Sequence, residues 1–122
     1  MNTLMMHNFK NLKVWERSMD LAVDIYKLIE LLPVEEKFGL ISQIKRSSIS
    51  IPSNIAEGAG RSTNADFVRF LDISNGSSNE LETQLNLAHR LGYLTEEQVN
   101  IVSSQLETIQ KMNFKLISKL RS

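Results

Sequence analysis

Apolar residues recur along the chain at intervals of three and four, the spacing of helices that bury one face, and no stretch alternates as a strand would. Breakers at Pro33, at Gly58 and Gly60, and at Gly92 divide the pattern into four segments of similar length. The first runs from about Leu12 to Leu32 and stops there because a proline disfavours helix in the residue before it. The second is expected just past Pro33, with Glu35 and Glu36 in its first turn and Gly60 as its stop. Ser62 to Asp66 supplies cap residues for a third helix, and Gly92 permits the left-handed turn that closes it. Thr95 and Gln98 have capping-box spacing and open a fourth helix that runs to about Leu120. Short links between long helices favour antiparallel neighbours, so the pattern predicts an all-α fold, an antiparallel up-down-up-down four-helix bundle. Pro52 falls inside the second helix, where it removes a hydrogen bond at a cost of about 3 kcal/mol if nothing compensates. A kinked but continuous helix is expected, with Ser47, Ser48 and Ser50 bonding to freed carbonyls; a break after Ile51 is the alternative.

The first helix carries two apolar stripes, Val14, Leu21, Ile25, Leu28 and Leu32, and beside it Trp15, Met19, Ala22, Tyr26 and Ile29. One bundle core consumes an apolar arc of roughly 100° or a little more, and these stripes together cover about half the circumference. The second stripe is therefore the candidate surface for self-association. The fourth helix shows one ordinary stripe of Val99, Val102, Leu106, Ile109, Met112, Leu116 and Leu120, with Asn113 read as a partly exposed edge residue rather than a core group. Met5, Met6 and Phe9 are expected to fold back as a cap on the bundle end, with a disordered start over residues 1–8 as the equal alternative.

With 122 residues the chain suits one domain. Fourteen Lys and Arg against fourteen Asp and Glu leave no overall basic surplus for phosphate binding. There is no cysteine, no apolar stretch of signal-peptide length in the first ten residues and no run long enough to span a bilayer, so a cytoplasmic protein with no membrane role is expected. Charge is nearly even by segment, with four basic and four acidic residues over 1–32, four and three over 33–62, two and four over 63–93, and four and three over 94–122. Lys111, Lys115 and Lys119 share a face at the end of the fourth helix, which suits the negative end of its dipole better than it argues for a phosphate site.

The stretch from Arg46 to Arg61 is unusual, because small polar residues stand where a helix normally carries long ones. Its polar stripe runs through Gln43, Arg46, Ser50, Ser53, Asn54, Glu57 and Arg61, of which Arg46, Ser50, Asn54, Glu57 and Arg61 are the candidate partner-binding residues for RNA, DNA or protein. The blander expectation is that small side chains let the Ser74 to Ser78 stretch approach closely, with Arg46, Asn54 and Glu57 satisfying one another or a neighbouring subunit. Gly58 to Ser62 lacks the strand context and the spacing of a phosphate loop. The two histidines, His7 and His89, have no carboxylates at ligand spacing, and no serine sits in a nucleophile elbow. Neither a catalytic site, a metal, a cofactor nor a small-molecule substrate is indicated.

Phe9 to Trp15, Gln43 to Arg61 and Phe67 to Gln84 together resemble the signatures of the bacterial four-helix bundle proteins associated with intervening sequences in 23S ribosomal RNA genes. The resemblance covers about residues 9–95 and implies a bundle that assembles as a ring, with a homopentamer as the expected form. A related branch, the accessory proteins of diversity-generating retroelements, binds a reverse transcriptase and nucleic acid, and its members are strongly basic where this chain is neutral. The resemblance brings no catalytic residues. It marks Arg46, Ser50, Pro52, Asn54, Glu57, Gly58 and Arg61 as positions of interest. The combined expectation is a non-enzymatic oligomeric scaffold or adaptor, with nucleic-acid binding that assists a ribonucleoprotein or reverse transcriptase as the alternative.

Overall fold

The computed structural model describes residues 7–122, so Met5 and Met6 lie outside the described residues. Four helices make up the fold: α1 (Lys13–Leu28), α2 (Leu40–Ala59), α3 (Asn64–Arg90) and α4 (Glu96–Arg121). Along the α3–α4 seam the contacts climb one helix and descend the other, as antiparallel packing requires. Asp24 meets Gln105 across α1 and α4, Ser50 meets Ser77 across α2 and α3, and along the α3–α4 seam Asn79 meets Gln110, Asn75 meets Asn113 and Asn64 meets Leu120.

The helix ends follow local chemistry. Asn8 caps a short 3-10 turn at Phe9–Asn11, whose Phe9 ring packs edge-on against Trp15 at 5.1 Å. The His7 amide donates to the Ala59 carbonyl at 2.9 Å, so the start of the described chain folds back over the end of α2. α1 leaves α-helical geometry at Leu28, four residues before the expected stop, because its last turn tightens into a 3-10 turn (Ile29–Leu31) ahead of the extended Leu32 and Pro33. α2 starts later than the position just past Pro33 that the sequence suggested. Residues Val34–Glu36 form a separate 3-10 turn, and the Glu36 carboxylate caps α2 from outside by accepting the Leu40 amide at 3.1 Å. Its other oxygen accepts the Tyr93 hydroxyl at 3.2 Å, tying the α1–α2 link to the α3–α4 link. Desolvation, then the Glu36 hydrogen bond and the charges of Glu36 and Glu35, raise the Tyr93 pKa above its ordinary value.

α2 runs unbroken through Pro52, with Gly60 as its stop. The serines act differently from expectation. Ser48 donates to the Lys45 carbonyl and the Ser50 hydroxyl pairs with Ser77, so neither serves the carbonyl that Pro52 leaves unmatched. Thr63 caps α3 by accepting the Asp66 amide. Gly92, at φ +84, ends it with a left-handed turn in which the Tyr93 amide returns to the Ala88 carbonyl. His89 Nδ1 donates to the Leu94 carbonyl at 2.9 Å in the same turn. Thr95 and Gln98 form the reciprocal capping box of α4.

The core takes Val14, Leu21 and Ile25 from α1, Ile44, Ile51 and Ile55 from α2, Phe67, Leu71, Leu81 and Leu85 from α3, and Val102, Leu106 and Ile109 from α4. A polar layer crosses it at Ser18, Ser48, Ser74, Ser78 and Asn113. Ser18, Ser48 and Ser78 each donate to a carbonyl one turn back in their own helix, so their polarity is spent locally. Asn113 corrects the edge-residue reading, since it has no exposed surface and donates to Asn75 Oδ1 at 2.9 Å. The buried line of α4 continues through Asn113 to Ile117, while Met112, Leu116 and Leu120 flank the core.

Candidate functional site

Two surfaces stand out from the residues upward. The first is the polar stripe of α2. Ser50 is half-buried and its hydroxyl lies 2.7 Å from that of Ser77 on α3. Asn54, one turn on, donates to the Ser50 carbonyl at 2.8 Å and to its hydroxyl at 2.9 Å. Glu57 pairs with Arg61 at 3.2 Å, and the Arg61 guanidinium lies over the Phe70 ring at 4.6 Å, with Arg69 stacked at the same distance from that ring. Arg69 in turn reaches Asp66 at 3.7 Å. The expected mutual bonding of Arg46, Asn54 and Glu57 is therefore replaced by Ser50 with Asn54 and Glu57 with Arg61, and Arg46 is exposed.

Small residues make this arrangement possible. The Ser74 hydroxyl reaches the Ile51 carbonyl at 3.1 Å, which requires the two helices to approach closely. At Gly58 the approach is closer still, because an added Cβ would stand 2.8 Å from Phe70 Cβ and 2.9 Å from Phe67 Cδ1. Gly58 is thus a contact point inside α2 and not a helix breaker.

The second surface is apolar. Met19 and Tyr26 are each 39 % exposed, and Trp15 and Ala22 are half-buried between them and the core. Ile29 does not belong with them. It is only 4 % exposed and lies in the chain's own core, because four residues on from Ile25 a helix position returns to within about 40° of it. Leu28, placed on the core stripe by its spacing, is half-buried instead. Sequence reasoning also missed the α2 contribution. Ile49, Pro52, Ser53 and Ala56 meet Trp15, Met19 and Ala22 along an open groove of about 320 Å³, and the i, i+3, i+7 spacing of Ile49, Pro52 and Ala56 is the signal that carried it. The Lys45 ammonium lies 5.2 Å from the Tyr26 ring centre at one end of this face, and Phe9 packs on Trp15 at the other.

Among the described residues no group of three or more His, Asp or Glu side chains is placed to hold a metal ion. Nor is any helix among them long and apolar enough to cross a membrane. What the two surfaces offer chemically is packing and hydrogen bonding.

The fold is similar to the crystal structure of a protein of unknown function from the S23 ribosomal protein family of Bacteroides thetaiotaomicron, with a TM-score of 0.78 and 35% identity over 85% of this chain and 97% of that one. No curated protein matches the sequence. Residues 10–115 match the family described as 23S rRNA-intervening sequence protein, and with most of its length inside that match the chain belongs to this family.

Proposed function

We propose that the protein is a non-enzymatic scaffold or adaptor that works as an oligomer, with copies packed side by side through the α1–α2 groove. The observation that carries this reading is the apolar groove itself. Trp15, Met19 and Ala22 face Ile49, Pro52 and Ala56 with little polar surface between them, and Val23 and Tyr26 extend the exposed strip. Such a continuous apolar strip on a chain of this size favours a partner, and a second copy is always present at matching concentration. A closed ring follows if the contact is heterologous and its rotation closes, and five copies is the number that the family resemblance implies.

The α2 stripe supports a structural role more than a nucleic-acid contact. Ser50, Asn54, Glu57 and Arg61 bond to one another or to α3, while Arg46 is exposed and makes no hydrogen bond or ion pair among the described residues. The test is light scattering on Met19→Glu and Ala22→Glu beside the wild type, with circular dichroism to verify helix content. The expected result is a wild-type oligomer and two helical monomers. Variants that keep the wild-type mass would remove the groove from the interface.

A further inference from the structure

The bundle sorts its charge along its axis. Ser50 meets Ser77, and Asp20 lies beside Thr108, about halfway along. Towards the end that holds the α2–α3 link and the C-terminus, residues 7–20, 50–77 and 109–122 carry nine Lys or Arg against five Asp or Glu. Towards the other end, residues 21–49 and 78–108 carry five against nine. A chain of net charge +0 is therefore basic at one end and acidic at the other by equal amounts.

Each end also has apolar shape. At the acidic end Phe38, in the turn before α2, is 90 % exposed and carries the Lys37 ammonium 5.4 Å from its ring centre; Leu31 and Val34, in the same α1–α2 link, are also exposed. At the basic end a pocket of about 320 Å³ opens between the start of α3 and the end of α4, lined by Asn64, Ala65, Val68, Leu120 and Arg121. A cavity of about 150 Å³ is enough to hold a benzene ring.

We infer that two copies of this chain meet end to end, with Phe38 of one entering the pocket formed by Ala65, Val68 and Leu120 of the next. Glu30 and Glu35 of the first copy then approach Lys119 and Arg121 of the second. Opposite charges of equal size steer the two ends together, and the apolar knob and hole fix their register. The contact joins two different patches and leaves both outer ends free, so it builds stacks that do not close. It uses none of Trp15, Met19, Ala22 or Tyr26 and so extends whatever assembly the groove forms. A second copy fits better than a polyanion, because a phosphate backbone would match the basic end and leave Phe38 without a role.

Sedimentation velocity at about 0.02 M and about 0.5 M salt tests this, since screening lengths at the two differ several-fold. Two charge variants accompany the wild type: Lys115→Glu with Lys119→Glu and Arg121→Glu, which leaves six basic against eight acidic residues at the basic end and so makes both ends acidic, and Glu35→Lys with Glu96→Lys and Glu97→Lys, which makes both ends basic by the same count. At low salt the wild type is expected to grow with concentration to at least about twice the mass it has at high salt. Each variant alone should stay at the high-salt mass, and mixing the two should restore growth. Phe38→Ser should raise the concentration needed for growth. A wild type of equal mass at both salts, or variants that grow alone as it does, overturns the inference. So does a single-stranded oligonucleotide retained through Lys119 and Arg121 while the protein itself does not grow. Growth from a monomeric rather than an oligomeric base would support the end contact while rejecting the groove as an interface.

Discussion

Ile25 has no exposed surface and sits where α1 meets the rest of the core. Ile25→Ala removes side-chain volume that the packed neighbours cannot refill, so urea denaturation should show a loss of about 2–5 kcal/mol. A change under about 0.5 kcal/mol would place Ile25 on a surface instead. Gly58 is the opposite case. An alanine there meets Phe70 Cβ, Phe67 Cδ1 and the Phe67 carbonyl within 3.2 Å, and two of these atoms are fixed to the backbone of α3. Overpacking of about 1–3 kcal/mol then outweighs the roughly 0.5–1 kcal/mol of helix propensity that alanine adds. Gly58→Ala should therefore lower stability in the same denaturation experiment, and a rise would contradict the close packing. Single residues were also where the sequence was hardest to read. Gly58 looks like a breaker because glycine usually is one, and only the Phe67 and Phe70 side chains reveal that it is a contact. Asn113 looks like an edge residue because burying an amide is costly, and Asn75, 38 positions away in the chain, supplies the partner that makes burial possible.

Helix ends were more legible, because caps are local chemistry. The Thr95–Gln98 box, the Thr63 cap and the Gly92 turn all stand where their residue types place them. Thr95→Ala removes the acceptor for the Gln98 amide and should cost about 0.5–2 kcal/mol in thermal or urea unfolding, while an unchanged midpoint would mean that the α4 start is held by packing alone. The start of α2 was misplaced for a tertiary reason. Glu36 caps the helix from outside while also holding Tyr93 in the opposite link, and no local pattern encodes that pairing. The link has a pH signature. A tyrosine whose pKa is raised by folding stabilises fully below the unfolded value of about 10, and that contribution is lost as pH rises through the folded pKa. Tyr93→Phe should therefore lose less melting temperature than the wild type between about pH 8 and pH 11, and equal losses would dissociate Tyr93 from the alkaline transition.

At the scale of the molecule, the all-α class and the number of helices were plain from spacing and breakers alone. The surplus apolar face of α1 was also visible, but its membership was not complete. Ile29 turns inward by its position relative to Ile25, and the α2 half of the groove depends on how two helices are rotated against each other, which one sequence does not state. The neutral total charge concealed the axial polarity for the same reason, since antiparallel packing decides which residues share an end. Sedimentation equilibrium of the wild-type chain over nanomolar to micromolar concentration, at high salt to suppress end contacts, tests the groove most directly. A stable mass that is a whole multiple of 13.9 kDa is the predicted result, five-fold being the multiple expected, and a single 13.9 kDa species throughout the range would contradict the account.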